Sequence, residues 1–341
     1  MSHSKQREAI SEMDRIFKRM METEVGRREF LAAVPFLLAS CATTEQSRHR
    51  EGDNTGQETE LTVDDERRMT KEALQEMRKD YPAVQDPELQ NYINSVGSRL
   101  TKANNLEGHP YNYSFTVVDV GYVNAFALPA GTIFVTTPLI AMAESEAELA
   151  GVVGHEIGHV KARHTAERIE AQKKQTSSWV YALGGGILGG VAGYGLGKLI
   201  CPPNDNDCTA KAAQYGAIAG VGGGLLVQKY KFMANSREDE MEADRIGFRT
   251  AVQAGYAPSK VGEFYSKLQK MEAERKQGGA PLLASLADVM STHPPSNERV
   301  QQMSEMAHAV PASPRAITST QTFDRIRKRA GELARAKASK G

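Results

Sequence analysis

A five-residue run, His155-Glu156-Ile157-Gly158-His159, constrains the fold of this chain more than any other feature. Side chains four residues apart lie on one face of an α-helix, so His155 and His159 can bind one metal ion together if the run is helical. Glu156 then points about 100° away around the helix, beside the ion. Zinc lowers the pKa of a bound water towards neutrality, and a neighbouring carboxylate can take its proton. The run therefore predicts one zinc ion per chain, with Glu156 as the catalytic base of a zinc metalloprotease.

A zinc ion in a hydrolytic site needs a third protein ligand, which this run does not supply. The metzincin class places a histidine six residues after the second histidine of the motif. That position is Thr165 here, and His164 is displaced from it by one residue. The sequence therefore argues against the metzincin class. His164 is expected to pack against a ligand or support it rather than to bind the metal.

An acidic run at residues 236–244, Ser-Arg-Glu-Asp-Glu-Met-Glu-Ala-Asp, offers a carboxylate as the third ligand. We expect Glu240 to bind the metal. Asp244 lies one helical turn later and is expected to accept the second ring N–H of a ligand histidine, which would fix the tautomer of that histidine. Glu238 and Glu242 are competing candidates for the same role. The alternative without a metal is a solvent-facing helix, of which a run this acidic is also typical.

Two further segments accompany the histidine run and the acidic run. They are residues 124–131, Asn-Ala-Phe-Ala-Leu-Pro-Ala-Gly, and residues 292–299, Thr-His-Pro-Pro-Ser-Asn-Glu-Arg. Together these segments resemble the HtpX and CAAX-prenyl-protease type of zinc metallopeptidases, particularly the bacterial periplasmic branch related to the assembly-enhancing proteases. The resemblance covers residues 86–303. Ala130 departs from the pattern, since the family often has glycine at this position.

The resemblance implies a gluzincin-like fold, which is a helical body with a small β-sheet whose edge strand holds the substrate backbone. In this family the position of Glu240 is the third zinc ligand, and the position of Asp244 supports a ligand. Asn124, Ala125 and Phe126 lead into the strand expected to hold substrate through main-chain hydrogen bonds, which give affinity with loose sequence preference. The alternative is a buried strand and turn that do not contact substrate.

His293 is placed on a loop by the two prolines that follow it. Two catalytic roles are open for its side chain. It can donate a hydrogen bond to the oxyanion of the tetrahedral intermediate, or it can occupy the open zinc position in a resting state, as the family resemblance suggests for some members. Arg299 can anchor this loop or bind a substrate carboxylate. A structural role for both residues, such as capping a helix, is the alternative.

Residues 1–41 have the parts of an export signal. Paired arginines precede a short apolar run, residues 31–39, in a pattern that resembles a twin-arginine signal. The sequence Leu-Ala-Ser-Cys then resembles a lipobox, so Cys41 is expected to be acylated; a short buried helix with an incidental cysteine is the alternative. The chain is therefore predicted to be a lipoprotein that faces the periplasm. Ala42, directly after the cysteine, predicts retention at the outer membrane.

The rest of the chain divides by composition. Residues 42–60 almost lack large apolar side chains and are predicted to form a flexible tether. Residues 61–310 are expected to form the zinc metallopeptidase domain. Residues 311–341 are predicted to be a basic C-terminal tail, whose charges are expected to face solvent, with contact to anionic lipid as the alternative.

The fold class follows from the periodicity of the apolar residues. Helical spacing at residues 61–100 and 145–174, with further helix at 229–276, predicts a largely helical chain. Two β-rich runs, residues 114–118 and 132–136, are separated by glycine and proline and predict a small sheet. We therefore assign the α+β class, mainly α.

Residues 176–228 are predicted to form an antiparallel helical hairpin inside the metallopeptidase domain. Glycines recur at every fourth residue in both halves: Gly185, Gly189, Gly193 and Gly197, then Gly216, Gly220 and Gly224. Such glycine stripes let two helices approach closely. Cys201 and Cys208 flank the polar turn and are expected to form a disulfide in an oxidising compartment. The hairpin is predicted to shield the cleft or to dip towards the membrane; a buried structural hairpin is the alternative.

The charge balance limits the partners of the chain. Basic and acidic residues number 42 each, which argues against nucleic acid as a partner. The sequence predicts a zinc-dependent endopeptidase of the bacterial cell envelope that cuts unfolded or misassembled envelope proteins and reaches the membrane through a lipid anchor on Cys41. A non-enzymatic lipoprotein that binds such clients is one alternative, although a binding module would not need Glu156. An integral membrane protease is another, for which the uncharged residues 176–197 are long enough but rich in glycine.

Overall fold

The computed structural model describes four ranges and two single residues of the chain: 59–108, 110–171, 235–276, 286–338, Asn54 and Gln57. All of them belong to the unit His49–Gly341. The predicted export signal with Cys41, and the predicted hairpin with Cys201 and Cys208, lie outside the described residues. Among the helices that are described, none is long and apolar enough to cross a membrane.

Two capped helices precede the sheet. Helix α1 (Val63–Asp80) begins at Thr62, whose hydroxyl accepts a backbone N–H in a capping box. Helix α2 (Pro87–Ala103) begins at Asp86, whose carboxylate accepts two backbone N–H groups of the first turn. The helical region predicted at residues 61–100 is thus two helices. The break at residues 81–86 has a local cause, because a proline near each end of this stretch disfavours helical backbone in the residue before it.

The sheet has three strands, β1 (Ser114–Val118), β2 (Ala125–Leu128) and β3 (Thr132–Thr136), in the order β1-β3-β2. Strand β3 lies in the centre, parallel to β1 and antiparallel to β2. Both predicted β-rich runs are strands with the predicted bounds. Strands β1 and β2 form the two edges of the sheet, and β2 contains Ala125 and Phe126.

A tight turn at Pro129–Gly131 joins β2 to β3. Ala130 has a φ of 62° and Gly131 a φ of 94°, and both values lie in the left-handed region that favours glycine. Ala130 therefore adopts a backbone conformation that glycine would adopt without steric cost.

The remaining helices surround the sheet. They are α3 (Thr137–Met142), α4 (Glu146–Lys161), α5 (Arg237–Gln253), α6 (Pro258–Val261), α7 (Glu263–Lys276), α8 (Ala287–Thr292), α9 (Asn297–Ala309) and α10 (Gln321–Ala338). Helix α4 ends earlier than the predicted helix at residues 145–174, because Arg163 adopts a left-handed φ of 55° and interrupts it. Helical structure resumes at residues 164–171. The described chain is mainly helical with a small sheet, as predicted.

The C-terminal basic segment packs onto the same core. Phe323, Ile326 and Ala330 of α10 are fully buried in the cluster that also contains residues of α2, the sheet and α4. On the outer face, Arg325 donates to Glu88 of α2 at 2.6 Å. Such exposed pairs contribute little stability, so the buried face of α10 is what holds this helix in place.

Residues near the end of the predicted tether contact the C-terminal end of α4. The side-chain amide of Asn54 donates to the carbonyl oxygen of Lys161 at 2.9 Å, and that of Gln57 donates to the carbonyl oxygen of Ala162 at 2.7 Å. The last carbonyl groups of a helix have no partner within the helix. These two amides therefore satisfy acceptors at the end of the helix that carries the histidine run.

Candidate metal centre

Helix α4 holds the histidine run in the interior of the protein. Ser145 caps the helix by accepting the N–H of Glu148 at 3.1 Å, and every residue from Glu146 to Val160 is buried. The side chains of His155 and Glu156 are each 2% exposed. Polar side chains buried this deeply need partners, and those of α4 find them on α5, on α7 and at His293, which follows α8.

Helices α4 and α5 approach each other almost backbone to backbone. A Cβ atom at Gly158 would lie 2.8 Å from the carbonyl oxygen of Ala243, and one at Gly247 would lie 2.6 Å from the backbone nitrogen of His155. Contacts this short leave room for a hydrogen atom and nothing larger. The glycines therefore allow the two helices to present their polar side chains to one common point.

The small residues and the polar residues share one face of α5. Glu240, Ala243, Asp244 and Gly247 recur with the spacing of three and four residues that places side chains on a single helix face. The two small residues bring this face against α4, and the two carboxylates then lie beside the histidines. Close packing and ligand placement thus arise from one periodic pattern.

Four ligand groups converge at this point: His155, His159, Glu240 and His293, whose ligand atoms all lie within 4.8 Å of one another. His155 Nε2 is 2.9 Å from His159 Nε2 and 3.4 Å from Glu240 Oε2. His159 Nε2 is 3.2 Å from Glu240 Oε1. Zinc bonds of about 2.0–2.1 Å place tetrahedral ligand atoms about 3.3 Å apart. Two imidazoles and a carboxylate at these separations fit a zinc ion in both chemistry and size.

The structure distinguishes the three glutamates of the acidic run. Glu240 lies in the cluster, Glu238 is exposed, and Glu242 is buried 3.3 Å from Nε2 of His164 rather than near the cluster. Residues two apart on a helix point about 200° apart. The packing of α5 on α4 therefore selects Glu240 as the carboxylate that can hold a metal together with the histidines.

Asp244 and Arg299 surround the cluster. Asp244 Oδ1 is 2.8 Å from Nδ1 of His155, although the ring N–H is not aimed directly at it. Arg299 donates to both oxygens of Asp244, from Nε at 2.6 Å and from Nη2 at 2.7 Å. Its Nη1 lies 2.6 Å from Oε2 of Glu240 and donates to the carbonyl oxygen of Pro294 at 3.1 Å. Arg299 is buried and directed at these groups, so it anchors the loop that carries His293.

The electrostatics keep both carboxylates ionised. Burial alone would raise the pKa of Glu240, but Arg299, His293 and His155 hold it well below its usual range. Burial would also raise the pKa of Asp244, and Arg299 again lowers it. Burial alone would lower the pKa of His155, whereas Glu240 and Asp244 raise it to about 9. At His159, by contrast, burial and then the neighbouring His155 lower the pKa well below its usual range. The negative charge of the two ionised carboxylates is the electrostatic feature that favours a bound cation.

His293 follows α8 and completes the cluster. Its Nδ1 lies 3.2 Å from Nε2 of His155 and 3.1 Å from Oε1 of Glu240, and its Nε2 lies 3.5 Å from Oε1 of Glu156. The first two separations match those between the other ligand atoms. His293 is therefore the fourth ligand group of the cluster, and it also lies next to the carboxylate expected to act as base.

Two further residues contact the cluster: His164, for which the sequence predicted packing against a ligand or support of it, and Asn235, which the sequence analysis did not single out. His164 Nδ1 lies 2.8 Å from Nδ1 of His159, so His164 contacts the ring nitrogen of His159 that faces away from the cluster. Asn235 donates its side-chain N–H to the carboxylate of Glu240 and, at 3.2 Å, to the carbonyl oxygen of Thr292. His164 could be found from the sequence because it follows the histidine run at a short spacing. No sequence pattern marks Asn235.

Strand β2 lies beside the metal-binding helix. Ala125 lines a small cavity together with His155, Glu156 and His293, and Leu128 lines another with His159. Asn124 is completely buried just before the strand, and Thr136 donates its backbone N–H to the carbonyl oxygen of Asn124 at 3.0 Å. The sheet edge that could accept an extended peptide therefore runs next to the histidines.

Comparison with known proteins identifies relatives over most of this region. Residues 87–307 match the family model described as Peptidase family M48. The beta-barrel assembly-enhancing protease of Yersinia pestis is 28% identical over 268 residues, which cover 78% of this chain and 49% of the relative. The protein of the same name from Escherichia coli strain K12 is 27% identical over 264 residues, 77% of this chain and 47% of the relative.

A second kind of relative comes from mitochondria. The mitochondrial metalloendopeptidase OMA1 of Arabidopsis thaliana is 30% identical over 264 residues, which cover 77% of this chain and 45% of the relative. The chain thus spans about half the length of the curated relatives it matches. What these relatives have in common with it is the region that contains the cluster.

Proposed function

The chain belongs to peptidase family M48, and from that membership we propose that it is a zinc-dependent endopeptidase of the bacterial cell envelope. Its substrates would be misfolded or misassembled envelope proteins. The observation that carries the proposal is the buried cluster of His155, His159, Glu240 and His293, with the carboxylate of Glu156 directly beside it. Two of the relatives are named beta-barrel assembly-enhancing proteases, which supports the envelope as the place of action. The proposed means of attachment is a lipid anchor at Cys41, and it rests on the sequence motif alone.

His155, His159 and Glu240 would hold the zinc ion. When bound, zinc supplies a Lewis acid that acidifies an attacking water and polarises the scissile carbonyl. Asp244 fixes the orientation of His155, and Arg299 fixes Asp244 and Glu240 together. Supporting contacts of this kind usually change metal affinity by about 10–100-fold when they are removed.

Glu156 would act as the general base. Its carboxylate takes a proton from the attacking water and later gives a proton to the amine that leaves. The side chain is 2% exposed and lies on the same helix as two of the ligands, so its position relative to the metal is fixed by the rigid helix. The substrate backbone would add to the edge of β2 through main-chain hydrogen bonds. This mode of binding needs an extended chain and little sequence, which suits unfolded proteins.

We propose that His293 occupies the fourth ligand position in a resting state. Its Nδ1 is as close to His155 and Glu240 as the other ligand atoms are to one another. A substrate carbonyl or water needs that corner, so His293 would have to leave before hydrolysis. In this arrangement Glu156 and His293 also restrain each other.

Replacing His293 with alanine is expected to increase the rate of hydrolysis of a denatured protein several-fold and to lower zinc affinity by about tenfold. The reason is that one ligand is lost while the corner for the reacting groups opens. Initial rates and zinc competition with a chromophoric chelator measure the two effects. His308→Ala, at an exposed histidine of α9, is the control. A loss in kcat of about 10²–10³-fold would instead assign His293 as an oxyanion donor.

Glu240→Ala is expected to lose most of the zinc, whereas Glu238→Ala should keep one zinc per chain. Glu240 is buried in the cluster, and Glu238 is exposed on the same helix. Metal analysis of the purified proteins measures the difference. Retention of full zinc affinity in Glu240→Ala would show that the third ligand is a different residue.

The proposed function is tested by the degradation of denatured casein and of an unfolded outer-membrane barrel protein. Wild-type protein should degrade both, a chelator should stop the reaction, and added zinc should restore it. Binding of these proteins without cleavage, in the presence of zinc, would favour the non-enzymatic client-binding lipoprotein instead.

A further inference from the structure

Tyr265 of α7 carries a buried hydroxyl that the chemistry proposed so far does not use. The residue is 4% exposed, and within the described part of the chain its hydroxyl has no hydrogen-bond partner. Buried polar groups in native proteins are nearly always paired, and the exceptions often have a catalytic role or bind an ordered water. The hydroxyl of Tyr265 therefore needs an explanation.

The ring of Tyr265 is explained by packing, but its hydroxyl is not. The guanidinium of Arg299 lies over the ring at 4.7 Å from the centroid, and the ring of His155 lies 5.5 Å away. Phenylalanine would make both contacts without burying a polar atom. The presence of tyrosine at this position points to a partner that arrives from outside the resting structure.

A small cavity beside Tyr265 adjoins the candidate metal centre. Its lining includes Ala125 of the edge strand, Glu156, His293 and Tyr265, and the rest of the wall is mainly apolar. A tyrosine hydroxyl keeps its proton at neutral pH, so it can donate a hydrogen bond to an acceptor.

Other donors near the cluster are already directed elsewhere. Arg299 donates to Asp244 and Pro294 and contacts Glu240. Asn235 donates to Glu240 and to the carbonyl oxygen of Thr292. A hydroxyl without a partner costs no existing bond when it turns towards a new negative charge, and this distinguishes Tyr265 from both.

We propose that the hydroxyl of Tyr265 donates a hydrogen bond to the oxyanion that forms on the scissile carbonyl. The proposal rests on the proposed peptidase function. The water oxygen adds to the carbonyl carbon while Glu156 takes a water proton, and the carbonyl π electrons move to the oxygen. Collapse of this intermediate re-forms the C=O bond, breaks the C–N bond and sends a proton from Glu156 to the amine. Tyr265 stabilises the charged oxygen and keeps its own proton throughout.

The test compares Tyr265→Phe with the wild type on a fluorogenic peptide. Loss of one oxyanion donor is expected to lower kcat by about 10²-fold with KM unchanged. Affinity for a phosphinic peptide, which mimics the tetrahedral intermediate, should fall by a similar factor. Zinc content should stay the same, and the melting temperature should not fall, because no hydrogen bond of the resting protein is removed.

Tyr113→Phe is the matched control. The hydroxyl of Tyr113 is also buried and has no hydrogen-bond partner among the described residues, and its ring packs at the periphery of the core, away from the cavity of Tyr265. Removing it tests the general effect of deleting a buried hydroxyl. Its kcat and its affinity for the phosphinic peptide should equal those of the wild type.

Two results would overturn the assignment while the proposed function stands. One is an unchanged kcat in Tyr265→Phe with peptidase activity that still requires Glu156. The other is an unchanged kcat with a lowered melting temperature, which would mean that the hydroxyl holds a structural water. A wild-type protein that holds zinc but has no peptidase activity and does not bind the phosphinic peptide would overturn the proposed function and this assignment together.

Discussion

Glu156→Gln is expected to lower kcat by about 10²–10⁴-fold while zinc stays at one per chain. Glutamine has the shape of glutamate but cannot take a proton from water. Glu156 is outside the group of ligand atoms that lie within 4.8 Å of one another, so the metal should remain bound. The loss should appear in kcat rather than in KM, because the carboxylate acts on the reacting water and not on the peptide backbone.

The measurement is the rate of peptide cleavage together with the zinc content of the same preparation. Glu146→Gln is a matched control, because Glu146 is also buried on α4 but accepts its hydrogen bond from Tyr256, at 3.3 Å, away from the cluster. An active Glu156→Gln variant would mean that another group is the base. Loss of zinc from that variant would mean that Glu156 is itself a ligand.

The family was identified correctly from the sequence. The histidine run and the acidic run combine residue types and spacings that are rare in helices without a metal site. The strands at residues 114–118 and 132–136 were also predicted correctly, since β-branched and aromatic residues mark them. The third strand, Ala125–Leu128, lies in the segment that the sequence associated with the substrate strand, but its bounds were not predicted, because it is short and runs straight into a proline turn. Its place at an edge of the sheet came only from the structure.

The expected third ligand could not be chosen from the sequence alone. Glu238, Glu240 and Glu242 differ in direction around one helix, and only the packing of α5 against α4 decides which of them meets the histidines. The pattern Glu240-x-x-Ala243-Asp244-x-x-Gly247 contains that information, because small residues mark the contact face. Tyr265 and Asn235 carry no such mark, since neither belongs to a periodic pattern in the sequence.

Gly247→Ala is expected to lower the free energy of unfolding by about 1–3 kcal/mol and to remove most of the zinc at limiting metal. The new Cβ atom would lie 2.6 Å from the backbone nitrogen of His155 and 2.8 Å from the carbonyl carbon of Gly154. Both neighbours are backbone atoms, so no side chain can turn aside to make room. Carbon atoms in contact are about 3.5–4.0 Å apart, and α5 would therefore have to withdraw from α4 by about 1 Å.

A shift of that size is expected to weaken metal binding more than it disturbs the packing of the core. Glu240 comes from α5 and the two histidines come from α4, so separating the helices separates the ligands. A working metal site keeps its ligand distances within about 0.2 Å. Gly331→Ala in α10 is the control, because its Cβ would meet only side-chain atoms at 3.5 Å and 3.7 Å. That change should stabilise the protein by up to about 1 kcal/mol, since alanine favours helix over glycine.

Thermal unfolding and zinc titration of both variants measure the contrast. If Gly247→Ala bound zinc like the wild type and unfolded at the same temperature, the close approach of α4 and α5 would be wrong, and with it the geometric argument that selects Glu240. If it lost stability but kept full zinc affinity, the helices would adjust without moving the ligands. The expected result, a joint loss in Gly247→Ala against a gain in Gly331→Ala, follows only if glycine at position 247 brings the carboxylate of one helix to the histidines of the other.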